Sequence, residues 1–291
     1  MDRKYVRKQI LHRLYMKYTN FVHLEIWTQI LHRKYTIILD NLFVLNNCLS
    51  GKEVMMGKGS AYQSAFERVE KKYLMTKEQF ERFRQRTENL ITLDQYGLHT
   101  ICNIYYDTDT YDLIRYSIEK PKYKEKLRLR SYGIPTKDST VFVELKKKWN
   151  GVVFKRRTSM TLEEARNYLN NGVRPSKESQ IVKEIDYFLE YYNPIPRLFL
   201  AYDRLAFFSN ENSEVRITVD QNIRSRTTDI DLELGDRGDL LMDDALYLME
   251  IKVPGAFPLW LANILSDLEI YPISFSKYGN IYKKSLIARG V

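Results

Sequence analysis

The stretch KEKLRLRSYG at residues 124–133 alternates charged and apolar side chains, and it decides how the rest of the chain is interpreted. Side chains of a β-strand point to opposite faces with a period of two. Lys126, Arg128 and Arg130 therefore share one face, and Leu127 and Leu129 share the other. A basic face is also typical of a solvated edge strand, on which lysine opposes aggregation. The choice between a solvated face and a binding face depends on the other strands.

Composition narrows the class of protein. The chain has 291 residues, a formal net charge of +9 and 44% hydrophobic residues, which is typical of a globular protein with an ample core. The positive charge favours an anionic partner, which is a nucleic acid, a membrane surface or a phosphorylated small molecule. The two cysteines, Cys48 and Cys102, lack metal-ligand spacing, and no run of 18 apolar residues occurs. We therefore expect a soluble protein of the cytoplasm.

The distribution of histidine excludes several mechanisms. Three of the four histidines lie in the first 55 residues, which leaves only His99 in the remainder. The remainder of the chain therefore has too few histidines to favour a Ser-His-Asp triad or a His-rich zinc site. The available chemistry uses carboxylates, lysines, arginines and a hard metal ion.

The first 60 residues differ from the rest and are interpreted as an N-terminal extension to a domain at residues 61–291. Two hypotheses account for this extension. Gly-Lys-Glu-Val before Met55 and Met56 can be encoded by a purine-rich ribosome-binding sequence, so that the natural product would start at one of these methionines. Alternatively, the segment is a helical appendage.

From residue 64 onward, period-two runs alternate with helical patterns. Strands are predicted at 65–74, 102–107, 124–132, 140–148, 151–156, 198–208, 214–221, 227–234 and 246–253. Helices are predicted in TKEQFERFRQRTENL, TLEEARNYLNNG, SKESQIVKEIDYFLEYYN and AFPLWLANILSDLEI. In the first helix, Thr76 and Gln79 form a capping-box pattern. These elements predict an α+β fold with a largely antiparallel sheet.

Several other strands repeat the design of residues 124–132. Their charged faces carry Arg68, Glu70 and Lys72; Glu144, Lys146 and Lys148; Tyr202 and Arg204; Arg216, Thr218 and Asp220; Glu250 and Lys252. We expect this sheet to close into a barrel whose charged faces line the interior, with helices covering the apolar faces outside. An interior crowded with arginines would repel itself unless a polyanion occupied it. Guanidinium groups bind phosphate oxygens in a bidentate manner, so a triphosphate chain meets that requirement.

These segments also carry a family resemblance. Their order and spacing resemble the VTC domain of polyphosphate polymerases, within the triphosphate tunnel metalloenzymes, also called CYTH-like proteins. The resemblance extends from about residue 64 to 282 and indicates a bacterial stand-alone member. It is carried by RVEKKYLM, IYYDTDTYDLIRYSIEKPKYKEKLRLRSYG, VFVELKKK, YDRLAF, EVRITVD, LMEIKV and FSKYG.

The resemblance implies an eight-stranded antiparallel barrel that transfers the γ-phosphoryl group of ATP to a growing polyphosphate chain. It implies catalytic roles for Lys72, Arg128, Arg130, Lys146, Arg204, Arg216 and Glu250. Lys126, Tyr202 and Lys277 would complete phosphate binding. Glu250, with Glu70 as a second carboxylate, would hold Mn²⁺ or Mg²⁺. Ser274 stands where eukaryotic polymerases have a further lysine, which puts the handling of the chain end in doubt.

Each assignment has a simpler structural interpretation. Glu250 and Glu70 would serve equally as counter-ions to neighbouring cations, and Tyr202 as a packing residue. The run YYDTDTYD resembles a metal-binding loop, but Asp107, Asp109 and Asp112 are also typical of an Asx-rich turn.

Three other functions compete with the polymerase. A triphosphatase would use water as the acceptor, and a non-catalytic module would bind polyphosphate or inositol phosphates without turnover. Nucleic-acid binding fits the charge, but the basic residues are phased to one strand face instead of forming an exposed stripe, so nucleic acid is not an expected partner. ATP and polyphosphate are the expected partners. A membrane-protein partner is compatible with the resemblance, because VTC domains of other proteins are attached to membrane segments.

Overall fold

The computed structural model describes residues 68–150 and 152–288 of the chain. In chain order, the elements are β1 (Arg68–Thr76), α1 (Lys77–Arg86), β2 (Ile91–Leu93), β3 (His99–Asp107), α2 (Asp112–Ile118), β4 (Tyr123–Tyr132), β5 (Thr140–Trp149), β6 (Val152–Thr161), α3 (Leu162–Asn171), α4 (Gln180–Tyr192), β7 (Ile195–Ser209), β8 (Arg216–Arg226), β9 (Asp239–Leu240), β10 (Leu246–Pro254), α5 (Leu259–Asp267), β11 (Pro272–Ile273) and α6 (Lys277–Ala288). The extension predicted at residues 1–60 lies outside the described residues, and the domain division stays a prediction.

The described strands form one antiparallel sheet of 11 strands, and this sheet does not close. Its order is β11-β1-β10-β8-β7-β3-β4-β5-β6, with β2 added to β7 and β9 added to β8. The expectation of a closed eight-stranded barrel was therefore wrong. Among the described strands, β6 pairs only with β5, and the outer edge of β1 is taken by the two residues of β11. Pro272 lacks a backbone N–H and so donates no hydrogen bond to this ladder.

The apolar face of the sheet is covered by two groups of helices. Leu127 and Leu129 of β4 are fully buried in one core cluster, together with residues of α3 and α4. A second cluster joins β1, β8 and β10 to α1 and α5. The leucine side of KEKLRLRSYG is thus core, as the period-two pattern predicts.

The predicted helix signals are confirmed where they are strongest. The Thr76 hydroxyl accepts a hydrogen bond from the Gln79 amide at 3.1 Å, and the Gln79 side chain accepts one from the Thr76 amide at 2.9 Å. This capping box satisfies two of the amide groups that a helix start leaves without partners. Helix α3 ends at Gly172, whose φ of 70° favours glycine.

The acidic run after β3 forms a turn. Asp107 is fully buried and accepts hydrogen bonds from the backbone amides of Thr108, Leu113 and Ile114, at 2.8, 2.9 and 3.0 Å. The Tyr278 hydroxyl donates to the same carboxylate at 2.9 Å. Asp107 therefore organises the start of α2, as expected for an Asx-rich turn.

Helix α6 packs on the face of the sheet that carries Tyr202, which corrects the expectation that the helices lie on the outside only. Its residues Tyr278 and Ile281 are buried in a third cluster with Ile101, Leu200 and Tyr202. Neither α6 nor α2 is predicted from the sequence. Each is short or weakly amphipathic and depends on this tertiary packing.

The strand predicted at 227–234 is absent from the described structure, where this segment is a loop. The Arg226 guanidinium lies over the Phe199 ring at 3.5 Å. It donates hydrogen bonds to four loop carbonyls, those of Asp229, Asp231, Gly235 and Arg237. Because one side chain donates hydrogen bonds to these four carbonyls, they do not need donors from a neighbouring strand. In the described ranges, no helix has the length and apolar character needed to cross a membrane.

Candidate functional site

One face of the sheet, here called the cationic face, carries every site residue predicted on a strand. Directly opposite residues of neighbouring strands share a face. The registers join Lys72 to Glu250, Arg204 to Asp220, and Lys126 to Lys146. Strand β3 adds Asn103 and Tyr105 to the same face, because they lie opposite Arg130 and Arg128 of β4.

Glu144 holds three of the cations on this face. Its carboxylate is buried, and it accepts from Arg128 Nε at 2.6 Å and from Arg157 Nε at 2.6 Å. Lys155 Nζ lies 3.2 Å from the same carboxylate. Burial would raise the pKa of Glu144, but the charges of Arg128, Arg130, Lys155 and Arg157 hold it well below its usual range. Glu144 is therefore ionised and fixes the guanidinium of Arg128.

Arg130 is fixed by two neutral partners. Its Nε donates to the Asn103 side chain at 2.9 Å, and one terminal nitrogen donates to the Tyr202 hydroxyl at 3.0 Å. Arg130 is buried, with only 5% of its surface exposed. Neither of these hydrogen-bond partners is a carboxylate, so Arg130 can also bind an anion.

Asp220 organises a second group of cations. It accepts from Arg204 through two hydrogen bonds, of 2.6 and 2.8 Å, and from Lys277 Nζ at 2.5 Å. Both cations also lie over the Tyr202 ring, at 5.0 and 4.5 Å from its centroid. Burial would raise the pKa of Asp220, but Lys277 and Arg204 hold it well below its usual range. Helix α6 thus contributes Lys277 to the same site as the strands.

The predicted metal carboxylates lie beside Lys72. Glu250 is 2.7 Å from Lys252 and 3.8 Å from Lys72, and Glu70 is also 3.8 Å from Lys72. Burial would raise the pKa of Glu250, but Lys252 and Lys72 lower it to about 2. Lys72 Nζ donates to the Phe275 carbonyl at 3.0 Å, while the neighbouring Ser274 is exposed.

Three lysines form a row across one part of the cationic face. Lys126, Lys146 and Lys155 lie side by side on β4, β5 and β6. Among the described residues, neither Lys126 nor Lys146 forms a salt bridge. Burial lowers the pKa of Lys126 to about 8, with help from the charges of Lys124, Lys146 and Lys72. Lys72 of β1 thus acts electrostatically on Lys126 of β4, although the two strands are not neighbours in the sheet order.

Arg216 occupies the margin of this site. It is exposed at the start of β8, directly opposite Lys252. Its position allows contact with an anion that extends beyond Glu250 and Lys252.

Tyr105 was not predicted as a site residue. Its hydroxyl accepts from Arg128 at 3.2 Å. Burial would raise its pKa, but Arg128, Lys126 and Arg130 lower it to about 8. The alternation of Asn103 and Tyr105 with Ile104 was the available signal, and it was missed because these residues are uncharged.

Glu144 and Asp220 were recognised as members of charged strand faces but received no role. Each carboxylate neutralises two or more cations, which reduces the self-repulsion that the sequence analysis expected. Only the cross-strand contacts show this, because the sequence does not indicate which carboxylate meets which arginine.

The donor set is compatible with a divalent cation held jointly with a phosphate substrate. Among the described residues, no group of three or more His, Cys, Asp or Glu side chains forms a preassembled metal site. Mg²⁺ is commonly bound through one or two carboxylates together with substrate phosphates. Glu250 and Glu70 are the two carboxylates that would hold such an ion, and the low pKa of Glu250 keeps it ionised.

Solved structures with related folds are distant. A candidate adenylate cyclase from Bacillus halodurans is 17% identical, covers 72% of this chain and 93% of its own, and has a TM-score of 0.46. A candidate adenylyl cyclase from Hippeastrum with a dominant triphosphatase activity is 13% identical, covers 75% and 96%, and has a TM-score of 0.47. A Mimivirus capping-enzyme triphosphatase is 10% identical, covers 69% and 88%, and has a TM-score of 0.30.

Comparison with curated proteins finds no match. The family model described as the VTC domain matches residues 67–286. This range includes every element of the cationic face, from Lys72 on β1 to Lys277 on α6. The chain therefore belongs to the VTC domain family.

Proposed function

We propose that the chain is an ATP-dependent polyphosphate polymerase, which transfers the γ-phosphoryl group of ATP to the end of an inorganic polyphosphate chain. The observation that carries the proposal is the pairing of Lys126 with Lys146 across β4 and β5, together with Lys72 of β1, whose positive charge lowers the pKa of Lys126. These lysines lie beside arginines that Glu144, Asn103 and Asp220 hold in place. A linear polyanion neutralises such a set of charges better than a single small anion does. Membership of the VTC domain family supports the same function.

The residues have distinct roles in this proposal. Arg128, Arg130 and Arg204 bind and orient the phosphate oxygens, because each guanidinium is fixed by a neighbouring oxygen acceptor. Lys72, Lys126 and Lys277 neutralise charge that accumulates during transfer. Lys146 and Arg216 extend the positive surface along the substrate.

Phosphoryl transfer depends mainly on positioning and charge neutralisation. The acceptor is a phosphate oxygen that is already ionised near neutral pH, so no strong general base is needed. Glu250, with Glu70, would hold Mn²⁺ or Mg²⁺. This ion supplies charge neutralisation at the phosphates when it is bound. We expect the reaction to take place in the cytoplasm.

Incubation of the purified full chain with ATP and Mn²⁺, followed by gel separation of phosphate polymers, tests the proposal. A polymer ladder is expected, and Arg130→Ala and Glu250→Gln should remove it. Arg115→Ala is the control, since it also removes an arginine, but from the exposed surface of α2. Release of orthophosphate without polymer would identify a triphosphatase instead. Binding of polyphosphate without consumption of ATP would identify a binding module.

A further inference from the structure

Four aromatic rings form a continuous series at one end of the cationic face. Tyr96 and His99 are 6.1 Å apart between ring centroids, His99 and Tyr132 are 6.1 Å apart, and Tyr132 and Phe142 are 5.6 Å apart. They come from the loop between β2 and β3 and from strands β3, β4 and β5. We call this series the aromatic cluster.

The aromatic cluster is continuous with the phosphate-binding arginines. His99 lies directly opposite Arg204 in the ladder between β3 and β7. Phe142 lies directly opposite Arg130 in the ladder between β4 and β5, and Tyr132 follows Arg130 by one strand period. A molecule bound to these arginines would therefore have its next atoms beside the rings.

The rings are held in position but remain accessible. Tyr96 is 68% exposed and Tyr132 is 50% exposed. The backbone amide of Tyr96 donates to the Asp94 side chain at 3.1 Å, and the following Gly97 has a φ of 58°, which favours glycine in this turn. The Arg157 guanidinium lies 4.5 Å from the Phe142 ring centroid and donates to the Tyr132 hydroxyl at 3.1 Å. These contacts order the cluster before any ligand binds.

A chain of inorganic phosphates cannot stack on these rings, because it offers no π-face and no apolar surface. A nucleoside triphosphate offers both, with a flat base at one end and a polyanion at the other. Stacking of a base on an aromatic side chain is favourable and accepts every base, since every base has a π-face. The position of the rings beside Arg130 and Arg204 thus matches the layout of a nucleotide.

We propose that the aromatic cluster is the nucleobase subsite, on which the base of the nucleoside triphosphate stacks while its phosphates reach Arg130 and Arg204. This inference rests on the proposed function. It adds that the nucleoside lies at the end of the cationic face that carries the aromatic cluster. The growing polyphosphate chain then extends in the other direction, towards Lys126 and Lys146. Since stacking is the main contact, the site selects weakly among bases.

The test compares two probes that differ only in the nucleoside. Calorimetry measures the dissociation constants of the β,γ-imido analogue of ATP and of inorganic tripolyphosphate for the full chain and its variants. Tyr96→Leu and Tyr132→Leu should weaken binding of the ATP analogue between about fivefold and a hundredfold. Binding of tripolyphosphate should change by less than about twofold.

Two variants control for side effects. Tyr132→Phe keeps the ring but loses the hydroxyl that Arg157 contacts, and it should bind the ATP analogue as the unaltered protein does. Tyr116→Leu removes a tyrosine of similar exposure, 53%, from α2 and should change neither dissociation constant. Because Tyr96 is largely exposed, its replacement should leave the fold intact.

The outcomes separate this inference from the proposed function. Equal weakening of both probes in the leucine variants, or weakening of neither, would overturn the nucleobase subsite while the phosphate site stands. Loss of ATP-analogue binding in Tyr132→Phe would assign the effect to the hydroxyl and overturn stacking. Failure of both probes to bind the unaltered protein would overturn the proposed function and the subsite together.

Discussion

Arg130 donates a hydrogen bond to the hydroxyl of Tyr202 at 3.0 Å, across the strand β3 that separates their two strands. The same tyrosine ring lies beneath Arg204 and Lys277. Tyr202 therefore links the two groups of cations, one organised around β4 and the other around Asp220.

This link predicts a graded effect of replacing Tyr202. Tyr202→Phe retains the ring for Arg204 and Lys277 but removes the acceptor for Arg130. A neutral hydrogen bond contributes about 1 kcal/mol, so tripolyphosphate affinity should fall about fivefold. Tyr202→Leu should lower it further because the cation–π contacts are also lost. Calorimetric titration measures both changes, and equal effects of the two replacements would contradict the assigned role of the hydroxyl.

Replacement of Glu144 tests whether this carboxylate stabilises the free protein. Glu144→Gln leaves Arg128, Arg157 and Lys155 without their shared negative charge. The free energy of unfolding should fall by about 2 to 3 kcal/mol, because Arg157 and Lys155 are partly solvated and the loss is smaller than for a fully buried pair. Urea denaturation measures it, with the exposed Glu163→Gln as the control.

The Glu144 effect has a defined pH dependence. The folded-state pKa of Glu144 is depressed. Its contribution to the free energy of unfolding is therefore present above the unfolded pKa, about 4.3, and is lost as the pH falls through the folded value.

Tripolyphosphate should raise the melting temperature of Glu144→Gln more than that of the unaltered protein, since phosphates replace the missing negative charge. A smaller rise in the variant would argue against this replacement.

Phosphate binding should take up protons near pH 8. Burial and neighbouring lysines lower the pKa of Lys126 to about 8. The pKa of Tyr105 is also lowered to about 8, because neighbouring positive charges outweigh the effect of burial, which would raise it. A bound polyanion raises both values, so each group that has lost its proton regains it. Calorimetry in buffers of different ionisation enthalpy should show net proton uptake for tripolyphosphate at pH 8 and little uptake by these two groups at pH 6.5.

The variants Lys126→Met and Tyr105→Phe identify the source of the protons. Each should reduce the uptake at pH 8, and the double variant should reduce it most. Lys137→Met, at a site well separated in sequence, is the control. Unchanged uptake in the double variant would show that other groups are responsible.

Glu250 should be needed for metal-dependent turnover but not for phosphate binding. Glu250→Gln should lower Mn²⁺-dependent ATP consumption by about a hundredfold or more, because charge neutralisation by a metal contributes several kcal/mol. Tripolyphosphate binding without metal should stay the same or tighten, since one negative charge beside Lys72 and Lys252 is gone. The exposed Glu178→Gln is the control. Full Mn²⁺-dependent turnover in Glu250→Gln would exclude Glu250 as the metal carboxylate.

Local patterns predicted much of the secondary structure. The alternation in β4 and the capping box of Thr76 and Gln79 depend on neighbours within a few residues, and both are confirmed. The strand prediction at 227–234 was wrong, because Arg226 binds the carbonyls of Asp229 and Asp231 and holds this segment as a loop. Helices α2 and α6 were missed because buried contacts such as Asp107 with Tyr278 join residues far apart in the chain.

The sequence by itself determined which side chains share the cationic face, because a period of two leaves each strand residue only one choice of side. The tertiary structure decided that the sheet stays open: among the described strands, β11 occupies the outer edge of β1 and β6 pairs only with β5. It also decided which charges neutralise each other. The grouping of Arg128, Arg157 and Lys155 around Glu144, and of Arg204 and Lys277 around Asp220, depends on strand register and on the docking of α6, which are set by long-range packing.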